Sequence, residues 1–322
     1  MFSVMFVYVR RVYRPLITAF SVLLASSAAL AQAEQNQDLA TGAKSTDAAT
    51  SETLDTKAQH LSNEGSASLA KDALPLWELG LGLGGLHQPY YVGSSDNRTF
   101  AFPVPVPVYR GSVFKSDDDG MRAELIKDKR YQLDLSLDFN LAVDSDKVEL
   151  RNNMDDIGSL LQIGPSLQFK LAGGDRNELL LNLPVRANLE FDDGVESAGY
   201  TFAPNLTYFN RFNWRGKPWR AGIALGPQFG SKDYQNTYYG VAPEFATEER
   251  PEFSADSGYS GSRLLLSLRS KDKDRLWVWF LRYENISGAS FEDSPLVETT
   301  NGLSVGVIYS RFLFKSKRTV SR

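Results

Sequence analysis

Gly80-x-Gly82-x-x-Gly85 has the letters of a dinucleotide fingerprint. In that fingerprint, glycines turn a strand into a helix whose N-terminus holds pyrophosphate. Here Pro89 and more strand-like sequence follow, so the glycines read as small residues on a strand beside a crowded lumen. Ser112-x-x-Lys115 and Ser95-Asp96-Asn97 have the letters of penicillin-recognising motifs, but in reversed order and without a Lys-Thr-Gly. Both are chance matches. The chain has 2 histidines, His60 and His87. A barrel hydrolase or acyltransferase needs a histidine base poised beside a serine. His87, next to Gln88-Pro89 at a strand end, reads instead as an interfacial or loop residue. Asp117-Asp118-Asp119 reads as a solvated turn rather than a calcium loop. Cysteine is absent, which leaves neither a disulfide framework nor thiolate chemistry. No catalytic, cofactor-binding or metal-binding residue is assigned, and the chain is expected not to be an enzyme.

The elements that would position any site begin with an export signal. Arg10, Arg11 and Arg14 precede an uncharged apolar stretch from Leu16 to Leu30, which ends in Ala31-Gln32-Ala33. A basic region, a short apolar region and a small-x-small site make a secretory signal over residues 1–33, with cleavage after Ala33. The apolar run falls short of the roughly 20 residues a spanning helix needs. The whole chain carries 35 Lys+Arg and 39 Asp+Glu over 322 residues. Residues 1–33 hold three Arg and no acid, so the remainder has 32 basic against 39 acidic residues, a net of −7. That balance argues against a nucleic-acid partner. Residues 34–73 are rich in Ala, Ser, Thr and acids, have no aromatic residue, and read as a disordered periplasmic leader.

From Trp77 the texture changes to period two. Tyr131, Leu133, Leu135, Leu137, Phe139, Leu141 and Val143 alternate with Gln132, Asp134, Ser136, Asp138 and Asn140. One face of such a strand is apolar and the other wet. Leu161–Leu171 and Glu178–Phe191 repeat the pattern around the turn at residues 172–177, with Leu180 as the exception. Further strands are expected at Gly199–Phe212, Pro218–Ser231, Gln235–Phe245, Gly258–Ser270, Asp274–Ser287 and Asn301–Phe314. Upstream ones are Leu76–His87, Thr99–Lys115 and Gly120–Ile126, which brings the total to twelve. Thr99–Lys115 is compromised by Pro103, Pro105 and Pro107, which cannot donate to a ladder. No amphipathic helix is expected.

Most of these strands are longer than the roughly five or six residues of a soluble domain, and match the about 9–11 that cross a bilayer. An all-β, transmembrane antiparallel β-barrel of about twelve strands follows, over residues 74–314, with a basic tail at 315–322. Its apolar faces should meet outer-membrane lipid. Tyr90, Tyr91, Trp214, Trp219, Tyr238 and Tyr239 are expected near the headgroups. The run Leu276–Leu281 breaks the alternation and is expected to pack under a loop. Lumen positions Asp134, Asp138, Glu178, Glu190, Arg186 and Lys170 mix both signs, which favours internal pairing over a selectivity ring.

An ordered series of short motifs runs through the barrel. It comprises Pro89-Tyr90-Tyr91-x-Gly93-Ser94, Tyr109-Arg110-Gly111, Leu161-x-x-Gly164-Pro165, Tyr238-Tyr239-Gly240-Val241, Asp293-Ser294-Pro295-Leu296-Val297 and Gly306-x-x-Tyr309. In this order the series resembles the MipA/OmpV family of Gram-negative outer-membrane proteins, over residues 76–314. The resemblance implies a scaffold in peptidoglycan remodelling. Its partners would be a lytic transglycosylase (the murein hydrolase MltA) and a bifunctional murein polymerase. A porin or small-solute channel, or a surface adhesin, stays open beside it. Two departures stand out: a long leader before the barrel, and Phe314 followed by Lys315–Arg322 instead of a terminal aromatic.

Overall fold

The computed structural model describes residues 73–110, 114–117, 120–128 and 130–321. The expected signal and most of the leader, together with Ser112, Asp118 and Asp119, lie outside the described residues. Pro75–Val320 form one unit built on a single antiparallel sheet. Its strands are β1 (Trp77–Pro89), β2 (Asn97–Arg110), β3 (Phe114–Asp117), β4 (Gly120–Lys127), β5 (Tyr131–Asn140), β6 (Ser159–Gly173) and β7 (Asn177–Phe191). They continue as β8 (Val195–Phe202), β9 (Asn205–Trp214), β10 (Lys217–Gly230), β11 (Gly258–Asp272), β12 (Arg275–Asn285) and β13 (Asn301–Lys315).

The sheet closes on itself. β13 pairs β1 at the seam between chain ends, and β9 pairs both β7 and β10. β8 and β9 occupy one lane, because β7 pairs β9 through its first half and β8 through its second. Pro204 separates them, since it has no amide hydrogen to donate. The 13 strands therefore make a barrel of twelve lanes. The expected number is met, but three of the expected strands are corrected, Gly199–Phe212 being interrupted between β8 and β9. Thr99–Lys115 is divided into β2 and β3, and Gln235–Phe245 is not a strand. Lys232–Tyr239 forms an α-helix, α1, capped by Ser231, whose side chain accepts from the Tyr234 amide. It buries Gln235, Tyr238 and Tyr239, a helical spacing that outweighs the aromatic strand preference.

Which face lies outside follows from contacts. Arg263 on β11 reaches Asp138 on β5, five lanes away, so these side chains point into the lumen. By alternation Leu135 and Leu137 point outward with Leu161, Ile163 and Leu167. Leu81, Leu83, Leu225, Leu303 and Leu313 are exposed on the same outer surface. An exterior of exposed aliphatic side chains around a polar interior is the arrangement a bilayer requires.

The glycines of the first motif line the seam. Gly80, Gly82 and Gly84 face the lumen opposite Phe312, Ser310 and Ile308. A Cβ on Gly82 would stand 2.0 Å from the Tyr309 carbonyl oxygen, so only glycine permits this strand approach. Leu276–Leu281 lies in the strand expected at Asp274–Ser287, but its expected packing under a loop is corrected, because it is part of the ordinary wall. Trp277, Trp279 and Leu281 face out, while Leu276 and Val278 pack against Val106, Val108 and Phe312 inside. Both faces are apolar here, which erases the alternation.

Candidate functional site

The two ends of the barrel are built differently. At one end β9–β10 and β11–β12 join through tight turns. Arg215 and Gly216 both have positive φ (53° and 73°), as a two-residue hairpin turn needs. At the other end the four connections 90–96, 141–158, 231–257 and 286–300 are drawn together over the lumen.

These loops share a core of their own. Tyr91, Val143, Val148, Ile157, Tyr238, Tyr239, Ala255, Ile286 and Phe291 are all buried in one cluster. Tyr91 donates its hydroxyl to the Leu296 carbonyl at 2.7 Å, and Tyr239 donates to the Val92 carbonyl at 2.7 Å. The Ser294 hydroxyl donates to the Tyr239 carbonyl at 2.7 Å. The Tyr239 and Phe291 rings stack with centroids 3.6 Å apart. Gly93 has φ 107°, and its carbonyl accepts from the amides of both Glu298 and Thr299. Gln235 is fully buried and binds Gly230, Gly258 and Ser260 through its amide nitrogen, while accepting from Ser290. Arg151 is 4% exposed, yet every hydrogen bond it makes goes to a neutral oxygen: Ser145, Asp155 and Tyr238 carbonyls or hydroxyl. Burial lowers its pKa and raises those of Tyr91, Tyr234, Tyr238 and Tyr239.

Three of the sequence motifs thus meet in this cap: the Tyr90-Tyr91-x-Gly93-Ser94, Tyr238-Tyr239 and Ser294-Pro295-Leu296-Val297 segments. Of the aromatic residues expected near headgroups, Tyr91, Tyr238 and Tyr239 are corrected to cap core, and Tyr90 packs against it. Long-range loop packing, invisible in strand texture, moves them. Trp214 and Trp219 do face outward at the tight-turn end, 5.6 Å apart, joined there by Trp277, Trp279 and Tyr309.

Below the cap an ionic belt bridges the lumen. Arg263 lies 2.8 Å from Glu284 and 3.6 Å from Asp138. Arg282 is 3.3 Å from Glu284, and Arg186 is 3.9 Å from Asp138 while donating to Ser136 at 2.7 Å. Nearer the tight turns, Glu78 is 4% exposed and meets Arg110 at 2.7 Å, Lys271 at 2.6 Å and Lys315 at 3.5 Å. Internal pairing was legible for Asp138 with Arg186 and for Lys170 with Glu178 at 3.3 Å. Glu190 instead accepts from the Gly158 amide, and Asp134 from Gln132. Sequence reasoning missed Arg263, Arg282, Glu284 and the Glu78 group. Arg282 and Glu284, two apart on a strand and thus on one face, were the available signal.

The other candidate residues do structural work. His87 is exposed on the outer face and bonded to Thr99. Ser95 donates twice to Glu298, and Asp96 accepts from the Glu149 amide, stitching loops together. Phe312 is buried in the lumen, whereas Phe314 is exposed outward after a bulge. Charge divides by end as well. Tight turns carry Arg130, Arg176, Arg215 and Lys273 beside Asp128, Asp175 and Asp274, whereas acids such as Asp144, Asp146, Glu248 and Glu249 outnumber the bases in the long loops.

Comparison with known proteins gives a family. The model described as MltA-interacting protein MipA matches residues 81–312. No curated protein matches the chain. Among solved structures, a Pseudomonas aeruginosa FadL homologue aligns at 8% identity and TM-score 0.28, over 77% of this chain and 65% of that one. CdiB from Acinetobacter baumannii aligns at 11% identity and TM-score 0.24, over 72% and 60%. The chain spans under two thirds of either structure.

Proposed function

Because this chain belongs to the MltA-interacting protein MipA family, we propose that it is an outer-membrane barrel that holds murein enzymes and has no catalytic step of its own. The partners are a lytic transglycosylase and, with it, a bifunctional murein polymerase. The observation that carries the reading is the obstructed lumen. Four loops cover one mouth, and Arg263 ties Asp138 on one wall to Glu284 on the other. A solute path through that belt must break paired charges in a confined space, which is costly.

Outer-membrane barrels have short periplasmic turns and longer outer loops. On that rule the capped end faces outward, and the tight turns face the peptidoglycan. An even number of lanes also returns Trp77 and Lys315 to this periplasmic end. In the sequence, the leader expected at residues 34–73 shortly precedes Trp77. Contact with murein enzymes falls to these turns or to that leader.

Two measurements on the purified full chain test the proposal. Affinity capture from a periplasmic extract, with and without residues 34–73, should retain lytic transglycosylase. Planar-bilayer recordings should give small or no stable conductance. Large, stable channels with no murein enzyme captured would reject the scaffold in favour of a porin.

A further inference from the structure

The outer surface at the tight-turn end holds a cleft of roughly 290 Å³ that nothing in the lumen or cap explains. Trp219, Trp277, Trp279 and Tyr309 form its walls, and Lys217, Asp272 and Arg275 stand around them. Every one of these side chains lies on the outward face: Lys217 pairs across from Trp214, Trp219 from Phe212, Trp277 from Tyr309 and Trp279 from Val307. The cleft therefore opens at the edge of the apolar belt, where a bilayer's headgroups sit.

A second observation points to an occupant. Among the described residues, the indole Nε1 of Trp219 is buried without a hydrogen-bond partner. An unmet buried donor is expensive and rare, and it is satisfied when an acceptor oxygen is brought in. Around it the charge favours an anion, with two cations against one carboxylate. Arg215 and Lys273 in the adjoining turns add to the positive field. Above the cleft the outer face continues as Leu266, Leu268, Leu281 and Val305, a surface suited to acyl chains.

We propose that this cleft is a binding site for one glycerophospholipid. Its phosphate lies between Lys217 and Arg275, its ester or phosphate oxygen meets the Trp219 indole, and its acyl chains run up the aliphatic face. The lipid comes from the leaflet that touches the tight turns, an assignment that rests on the orientation given under Proposed function. Such a lipid would fix the depth of the turns that carry the murein partners.

Native mass spectrometry of the full-length barrel in mild detergent tests the site. The barrel is offered phosphatidylglycerol, diacylglycerol of the same chains, and lipid A. One phosphatidylglycerol per barrel should be retained in preference to diacylglycerol. Lys217→Gln with Arg275→Gln should weaken retention roughly 30-fold, from the charge each basic residue contributes at a membrane surface. Trp219→Phe keeps the ring and removes the donor, and should weaken it about fivefold. Unchanged retention in both variants, or equal retention of diacylglycerol, overturns the site. A dimer that excludes lipid overturns it in favour of a second copy of the chain. Preferential capture of lipid A, lost in the same variants, overturns the glycerophospholipid and the membrane orientation together. Murein-enzyme capture is read separately, so failure of the lipid site leaves the scaffold test standing.

Discussion

The capped end and the tight-turn end use one barrel to opposite effect. The capped end spends its aromatic residues on its own interior: Tyr91, Tyr238, Tyr239 and Phe291 are each less than 10% exposed. The tight-turn end puts its aromatics outward, with Trp77, Trp214, Trp277 and Trp279 all exposed. Buried hydroxyls in the cap each need a partner: Tyr91 and Tyr239 donate to carbonyl oxygens of distant loops, and Tyr238 accepts from the Asn140 amide. Indoles at the other end lie between apolar belt and turns, where a mixed side chain is satisfied by both surroundings. The contrast separates a self-contained lid from an aromatic surface left exposed.

The largest expected effect breaks the cap alone. Tyr239→Ala removes the ring stacked on Phe291 and the hydrogen bond to Val92. Truncating a buried aromatic costs about 3–5 kcal/mol. That loss should appear locally, as rapid proteolysis in the acidic loop around Glu248 and Glu249, while the folded barrel keeps its gel mobility. Conductance should stay low, since Arg263, Asp138 and Glu284 remain in place beneath. Global unfolding instead would mean that cap and barrel form one cooperative unit.

A smaller effect comes from alkali. Tyr91, Tyr234, Tyr238 and Tyr239 are held above the ordinary phenol value of about 10, chiefly by burial. A raised folded pKa means that the native cap keeps protons which the opened cap releases. Its stabilisation is complete below about pH 10 and declines as pH rises beyond it. Tyrosinate absorbance should lag the ordinary phenol titration, then rise together with protease sensitivity of the loops. Titration of these four tyrosines at the ordinary phenol value would mean the cap is open to water.

The same division explains how far the sequence could be read. β5, β6 and β7 were legible because lipid lies on one face and a hydrogen-bonded lumen on the other, so every second residue changes character. β12 was legible as a strand, expected at Asp274–Ser287, but its packing was not, because Leu276 and Val278 meet Val108 and Phe312 inside while Trp277 and Trp279 face out. α1 was misread because Tyr234, Tyr238 and Tyr239 look like strand aromatics until Gln235 is seen to be buried under them. The expected total of twelve survived these errors by compensation, one false strand removed and one split off. The cap motifs were visible as ordered tyrosines and glycines, but their meeting depends on contacts such as Tyr91 with Leu296, 205 residues apart. The ionic belt was half legible: Asp138 and Arg186 stood on alternating strands, while Arg263 arrives from across the lumen.

The smallest expected effect belongs to the tight-turn end, and its pH dependence runs the other way. Asp274 accepts from the Arg311 guanidinium at 2.8 Å. That hydrogen bond, foremost, holds its carboxyl below the usual value. A depressed folded pKa places the stabilisation above the ordinary carboxylate range, and it is lost as pH falls through and below that range. Both partners are open to water, with side chains 60% and 32% exposed, so solvent and salt screen the attraction. Asp274→Asn should therefore leave the urea midpoint of the barrel unchanged at neutral pH. It should only remove a slight, salt-sensitive loss of stability on acidification. If Asp274→Asn instead lowered the urea midpoint of the barrel by the equivalent of several kcal/mol, as loss of a buried group would, the tight turns would be structural keystones, and the contrast between a packed end and an available end would fail.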